Sequence, residues 1–393
     1  MKDIYIVGGR VVVCDGEIET SVKIHDGKLE LVSEMPDNVE NATVIDAKGS
    51  LVLPGFIDLH VHGGGGSDFM DLTPEAFKNA VNTHAWHGTT SIMPTTLSAP
   101  LDDAVKFLAL YKTIDESELN ATLLGVHLEG PFLSPYQSGA QNKSHLALPT
   151  RENYMKLSDA GLDVIGQIDI APELEGAFEA AEYFSGKGKL VSIAHSAALY
   201  PCVSESVSHG FSRVTHLHCA SPWARKIDER LQAGIPEAAY LIDEMGFELI
   251  GDGYHIAPQT IEMAAKFKKK GRVVLVTDAM RAAGQDVTES YLGAVSPDNR
   301  VIIEGGVAKL PDRSSFAGSI ATMESVFRNV YNNTRLPAWK IAELMSLAPA
   351  MAAGVDKTKG SIEDGKDADI VIASADSGEL QYVIARGKII RGL

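Results

Sequence analysis

Eight continuous apolar runs punctuate the middle of this 393-residue chain, with helix-like stretches between them. The runs are GFIDLHVH (55–62), TTSIMPTTL (89–97), TLLGVHLEG (122–130), VIGQIDIAPE (164–173), LVSIAHSA (190–197), RVTHLHCA (213–220), FELIGDGYH (247–255) and VVLVTDAM (273–280). Strands covered on both faces read as unbroken apolar segments. Segments 73–88, 101–114 and 258–271 carry amphipathic helical spacing. Strand–helix alternation of this kind builds a parallel sheet, and eight such units close into a (β/α)8 barrel of the TIM type. The chain is long enough for a smaller second domain beside that core. Residues 1–53 and 357–393 read as short strands, with hairpin signals at Asp15-Gly16 and Asp26-Gly27. The expectation is an α/β protein with a barrel over 54–356 and a small β-sandwich domain built from both termini.

In such a barrel the chemistry sits at the carboxyl ends of the strands. Here those ends carry His60 and His62, His127 and Glu129, His195, His216 and His218, Asp252 and His255, and Asp278. Residues two apart on a strand share a face, so His60 and His62 can reach one ion, and imidazole suits zinc and similar metals. Glu129, His195 and His216 are too dispersed for a local motif, yet well placed for a common barrel mouth. A carboxylate closing the aliphatic run 273–280 needs a partner. Asp278 is therefore expected beside an ion or ligand, taking a proton from activated water and returning it. His127 either faces the same cavity or packs in the core. His218 either supports the site from behind or touches substrate. His25, His84, His87, His145 and His209 read as ordinary core or surface residues.

A net charge of −17 disfavours nucleic acid and anionic membranes as partners. No apolar stretch approaches the ~18 residues of a membrane span, and MKDIYIVGGRVVV reads as a strand, not a signal peptide. Cys14, Cys202 and Cys219 are too few and too scattered for a disulfide framework, which fits a reducing, cytoplasmic location.

Taken together, PGFIDLHVHGG, HLEGPF, AHS, VTHL, DGYH, LVTDA, FAGS and KGSIEDGKDADIVI resemble the amidohydrolase superfamily. Within it the chain is similar to the deacetylases of N-acetylglucosamine 6-phosphate. The resemblance implies a metal-dependent barrel flanked by a β-sandwich, and hydrolysis of the acetamide of an N-acetyl amino sugar phosphate to the free amine and acetate. It implies Asp278 as the general base and acid. Glu129, His195 and His216 correspond to the better-shared metal site, and His60 and His62 to a second, with Glu129 bridging where both are filled. One or two divalent ions per chain are thus expected, zinc foremost, with iron, manganese or cobalt as alternatives. A homodimer is implied as well.

Substrate contacts follow from the same likeness: Ala140, Gln141, Cys219, Ala220, Gly253, His255, Phe316, Ala317 and Gly318. Gln141 stands where many members have His, and Cys219 where they commonly have Asn. The Arg-Glu-Pro-Gly segment that grips the phosphate is absent, leaving Arg225 and Arg230 as nearby cations for that role. The alternatives are another amidohydrolase reaction, on a different N-acetyl sugar, a cyclic amide or a dipeptide, and a non-catalytic scaffold. The fourth run lacks the lysine many binuclear relatives use, and the joint retention of ligands and base argues against a scaffold.

Overall fold

Each of the eight apolar runs forms a strand, and each strand leads to a helix. In chain order the strands are β1 (Phe56–Val61), β2 (Thr89–Pro94), β3 (Val126–Leu128), β4 (Ile165–Asp169), β5 (Leu190–Ile193), β6 (Arg213–Val214), β7 (Gly246–Ile250) and β8 (Val273–Val276). The helices that follow them are α1 (Pro74–Trp86), α2 (Leu101–Tyr111), α3 (Arg151–Gly161), α4 (Ala177–Ser185), α5 (Tyr200–Ser208), α6 (Ile235–Leu241), α7 (Pro258–Phe267) and α8 (Met323–Asn333). The structure, a computed structural model, describes residues 2–33, 39 and 41–392. Residues 1, 34–38, 40 and 393 of the expected terminal domain lie outside the described residues.

All the pairings are parallel: β1 with β2, and β3 through β8 in sequence order. Isolated parallel bridges join Thr95 to His127 and Val61 to Ala279, linking the edges of the two sheets. Parallel strands need long crossovers, and the helices supply them, with Phe77, Phe107, Phe184 and Phe327 fully buried in a common core. Side-chain caps start several helices: Thr73 accepts from the Ala76 amide and Thr150 from that of Asn153.

The terminal segments form two further sheets. One is four-stranded (Ile4–Val7, Ser21–His25, Lys28–Val32, Thr43–Asp46). The other is six-stranded and joins Arg10–Val13, Gly16–Glu19 and Leu51–Pro54 to Ile370–Ala373, Leu380–Ala385 and Lys388–Arg391. Ile6, Val22, Ile24, Val52, Ile370 and Ile384 share one core between them.

At Asp26-Gly27 the hairpin is as expected: both residues have positive φ, 46° and 74°, and His25 pairs with Lys28. The other turn shifts by one residue. Gly16 pairs with Val13, so Cys14-Asp15 make the bend and Gly16 opens the returning strand. Among the elements without a counterpart in the sequence reading, two follow β6 and β8. An antiparallel hairpin pairs Arg225–Ile227 with Arg230–Gln232, and a three-stranded sheet (Glu289–Tyr291, Arg300–Glu304, Val307–Lys309) follows β8. That sheet leads into the 315–319 segment.

Candidate metal centre and cavity

His195, His216 and Asp278 each lie two residues beyond the end of their strand, and each has a positive φ: 43°, 31° and 49°. This left-handed region is uncommon for residues other than glycine and concentrates at functional sites. The turn carries each side chain over the strand end. Backbone bonds lock the positions, with the Asp278 amide donating to the His60 carbonyl (2.9 Å) and the His62 amide to that of Ala279 (2.7 Å).

The two oxygens of Glu129 divide the candidate ligands into two groups. Oε1 lies 3.1 Å from His195 Nε2 and 2.9 Å from His216 Nε2. Oε2 lies 3.3 Å from His62 Nε2 and 3.8 Å from His60 Nε2. Asp278 Oδ1 closes the second group, 3.1 Å from His62 Nε2 and 3.4 Å from His60 Nε2. All six residues are buried. The Nε2 atoms of His60 and His62 stand only 3.2 Å apart, a spacing that calls for a proton or a cation between them. Two trios, His60–His62–Glu129 and Glu129–His195–His216, each bring their ligand atoms within 4.8 Å of one another. Imidazole nitrogens and carboxylate oxygens so disposed fit a divalent transition ion.

Electrostatics agree with that fit. Burial alone would strip the charge from these groups, but their mutual attraction wins. Burial pushes Glu129 up, yet hydrogen bonds from His195 and His216 hold it well below the ordinary carboxylate range. Burial likewise opposes ionisation of Asp278, and the charges of His60 and His62 outweigh it, keeping the group ionised. Burial lowers His62, but Asp278 and Glu129 bring it up to about 9; His216 reaches about 9 through Glu129. A site this eager for protons is equally suited to a cation. His195 Nδ1 donates to the Gln137 carbonyl (2.8 Å), which turns Nε2 toward Glu129.

Above the ligands lies a cavity of about 260 Å³. Of the substrate residues expected from sequence, Ala140, Gln141, Cys219, Ala220, His255, Phe316 and Gly318 line it. Burial pushes the Cys219 thiol up to about 12, so it stays a small neutral lining group. His255 is held by Asp252 through Nδ1 (2.8 Å) and meets Phe316 edge-on.

Four expected residues stand elsewhere. Arg225 and Arg230 sit exposed on the hairpin, and the Arg225 guanidinium donates to the Ala197 carbonyl (2.9 Å). Gly253, at φ 80°, presses its Cα against Asn329, where a Cβ would meet the amide at 2.9 Å. Ala317 is buried with Met280 and Leu292. Gln141 reaches the cavity, but its amide is committed. Oε1 accepts from the Ser98 amide (2.8 Å), which orients Nε2 to donate to Glu129 Oε2 (2.7 Å).

The structure places the two remaining strand-end histidines. His127 is fully buried below the ligands, bonded to the Leu59 carbonyl (3.1 Å) and paired with Asp169 (2.9 Å). His218 lines the cavity, stacked on Trp223 with ring centroids 4.7 Å apart, and burial lowers it to about 4. His87 pairs with Glu324, His209 stacks on Phe178, and His84 is a core residue bonded to the Gly63 carbonyl. Sequence reasoning missed Glu248, Gln167 and Asp169, buried polar residues within β7 and β4 that support the site from beneath. A charged residue inside an aliphatic run was the available signal.

Residues 51–390 match the amidohydrolase family. The chain belongs to that family. Membership implies use of a divalent metal. Among curated proteins, the N-acetylglucosamine-6-phosphate deacetylase of Bacillus subtilis (strain 168) is 33% identical over 395 residues, covering 99% of this chain and 96% of its own. The N-acetylgalactosamine-6-phosphate deacetylase of Escherichia coli O157:H7 is 29% identical over 389 residues, covering 94% of each. Among solved structures, a mutant of the Mycobacterium smegmatis N-acetyl-D-glucosamine-6-phosphate deacetylase, in complex with N-acetyl-D-glucosamine-6-phosphate, superposes with a TM-score of 0.89. It is 26% identical and covers all of both chains. Among the described residues no helix is long and apolar enough to cross a membrane.

Proposed function

We propose that this amidohydrolase removes the acetyl group from an N-acetyl amino sugar phosphate, converting N-acetylglucosamine 6-phosphate and water to glucosamine 6-phosphate and acetate. The observation that carries the reading is the division of Glu129's oxygens between His195–His216 and His60–His62, with Asp278 at the second pair. Glu129, His195 and His216 would hold one divalent ion, and His60 and His62, with Asp278 beside them, would hold a second. Zinc is the first choice, with iron, manganese or cobalt as alternatives. When bound, such an ion acidifies water from a pKa of about 15.7 towards ~7 and polarises the amide carbonyl.

The chain's own groups do the rest. Asp278, ionised and buried, accepts the proton of the attacking water as its oxygen bonds to the acetyl carbon. His255, oriented by Asp252 through Nδ1, lines the cavity as a substrate contact. As the C–N bond breaks, Asp278 returns the proton to the departing nitrogen, so acetate and a free amine leave. Leu97, Leu292 and Phe316 supply the apolar part of the wall.

The same reading takes the eight parallel strands, with their two bridges, as a closed (β/α)8 barrel over 54–356. It takes the terminal sheets as a β-sandwich of residues 1–53 and 357–393, and the enzyme as a cytoplasmic homodimer. Among the described residues no Lys or Arg lines the cavity, so the phosphate grip falls to Arg225 and Arg230 on the adjoining hairpin or to a second copy of the chain. The galactosamine relative favours testing the epimer too.

Acetate release from N-acetylglucosamine, its 6-phosphate and the galactose epimer's 6-phosphate, in one metal-supplemented assay, tests the proposal. Turnover of a 6-phosphate is expected. Equal rates on the unphosphorylated sugar would remove the phosphate from the proposal, and no acetate from any of the three would remove the activity.

A further inference from the structure

Glu248 is the only charged residue of β7 and is fully buried. Its Oε2 lies 3.1 Å from His60 Nδ1, and its Oε1 accepts from Gln167 Nε2 at 3.0 Å. An ionised glutamate can only accept, so Nδ1 of His60 carries a proton and Nε2 is the ring atom left to take an ion. That Nε2 faces the point where His62, Glu129 and Asp278 converge. A histidine that ligates a metal is oriented and made more basic when its other nitrogen donates to a carboxylate.

We infer that Glu248 is the positioning residue for the ion held by His60 and His62. The inference rests on the two-ion reading above and adds a dependence that the other ion lacks. On the other side of Glu129, His195 takes its orientation from the neutral Gln137 carbonyl, and neither His195 nor His216 touches Glu248 within its hydrogen bonds. Gln167 steadies Glu248 from β4, where it also reaches His127 and Asp169. The buried trio His60–His127–Glu248 is therefore a support and not an additional ion site. Both His127 nitrogens are already engaged, by the Leu59 carbonyl and by Asp169.

Metal titration separates the two ions. The purified chain is stripped with chelator and reloaded at buffered free Co2+, with metal per chain and the visible Co2+ absorption as readouts. Wild type should take two ions. Glu248→Gln should bind the first with unchanged affinity and need roughly 10–100-fold more free Co2+ for the second. Glu248→Asp keeps the charge but withdraws it by one methylene, and should fall between. Thermal unfolding of the metal-free forms establishes that the variants fold, and if Glu248→Gln does not, Glu248→Asp carries the test on the same criterion. A second ion bound by the folded variant at wild-type affinity overturns the inference and leaves the two-ion reading standing. A wild type that saturates at one ion, with His62→Ala at the same count, overturns that reading and the inference with it.

Discussion

In the proposed reaction Asp278 has two tasks, to lie beside His60 and His62 and to carry a proton. Asn has the same shape and no proton affinity, so Asp278→Asn separates them. It should leave the fold intact and lower kcat by about 10²–10⁴-fold, the range for a general acid–base. Kinetics on metal-replete protein, with its metal content measured, provide the check; a loss under tenfold would remove Asp278 from proton transfer. The reasoning that picked out Asp278 from sequence, a carboxylate closing an aliphatic run, applies equally to Glu248 inside FELI and to Asp169 inside IGQID. Glu248 lies within its strand, and Asp169, though it ends β4, is followed by more apolar sequence, so neither reads as a strand-end group. Their partners, His60 and His127, are distant in sequence and become visible only in the fold. Gln141 illustrates a different limit. Its residue type allowed a sugar contact, but the Ser98 amide, 43 residues away, decides which end of the side chain faces Glu129.

Elements position these residues through close backbone approach, and Gly251, just past β7, is a test of that. A Cβ there would lie 2.4 Å from Val326 Cγ1 on α8. Val326 is fully buried and β-branched, so it has little freedom to yield. Gly251→Ala should therefore cost about 1–3 kcal/mol by overpacking and disturb the adjoining Asp252–His255 turn, raising KM. Pairing it with Val326→Ala should cost less than the sum of the two single changes, because the second opens the space the first needs. Denaturant unfolding of the three variants reads this directly, and strict additivity would exclude the clash. The strands and the three anticipated helices were legible because apolar runs and amphipathic spacing are local signals. The hairpin at 225–232 and the sheet at 289–309 were not, since their pairing partners are set by the surface they fold over. The one-residue shift at Cys14-Asp15 arises because strand register, fixed along the Arg10–Val13 and Gly16–Glu19 ladder, overrides the turn preference of Asp-Gly.

For the molecule as a whole, metal loading and pH should act in opposite directions. In the metal-free chain burial opposes charge on His62 and His216, yet Asp278 and Glu129 raise the first and Glu129 the second to about 9, from an ordinary 6.5. Between those values the folded state binds more protons than the unfolded chain. The stability these groups contribute is thus fully present below pH ~6.5 and is lost as pH rises towards 9. Metal loading reverses the sign, because the ligands must shed those protons to bind. Apparent affinity should rise by up to ~10-fold per pH unit for each such imidazole below 9, and an ion at a hundred times its Kd adds about 2.7 kcal/mol. Tm measured from pH 6.5 to 9 should consequently fall for chelator-treated protein, while the increment gained on adding a fixed free metal concentration grows. A chelated protein whose stability climbs over that range would mean that His62 and His216 are not held protonated by Glu129 and Asp278, and that the buried cluster does not behave as a cation site.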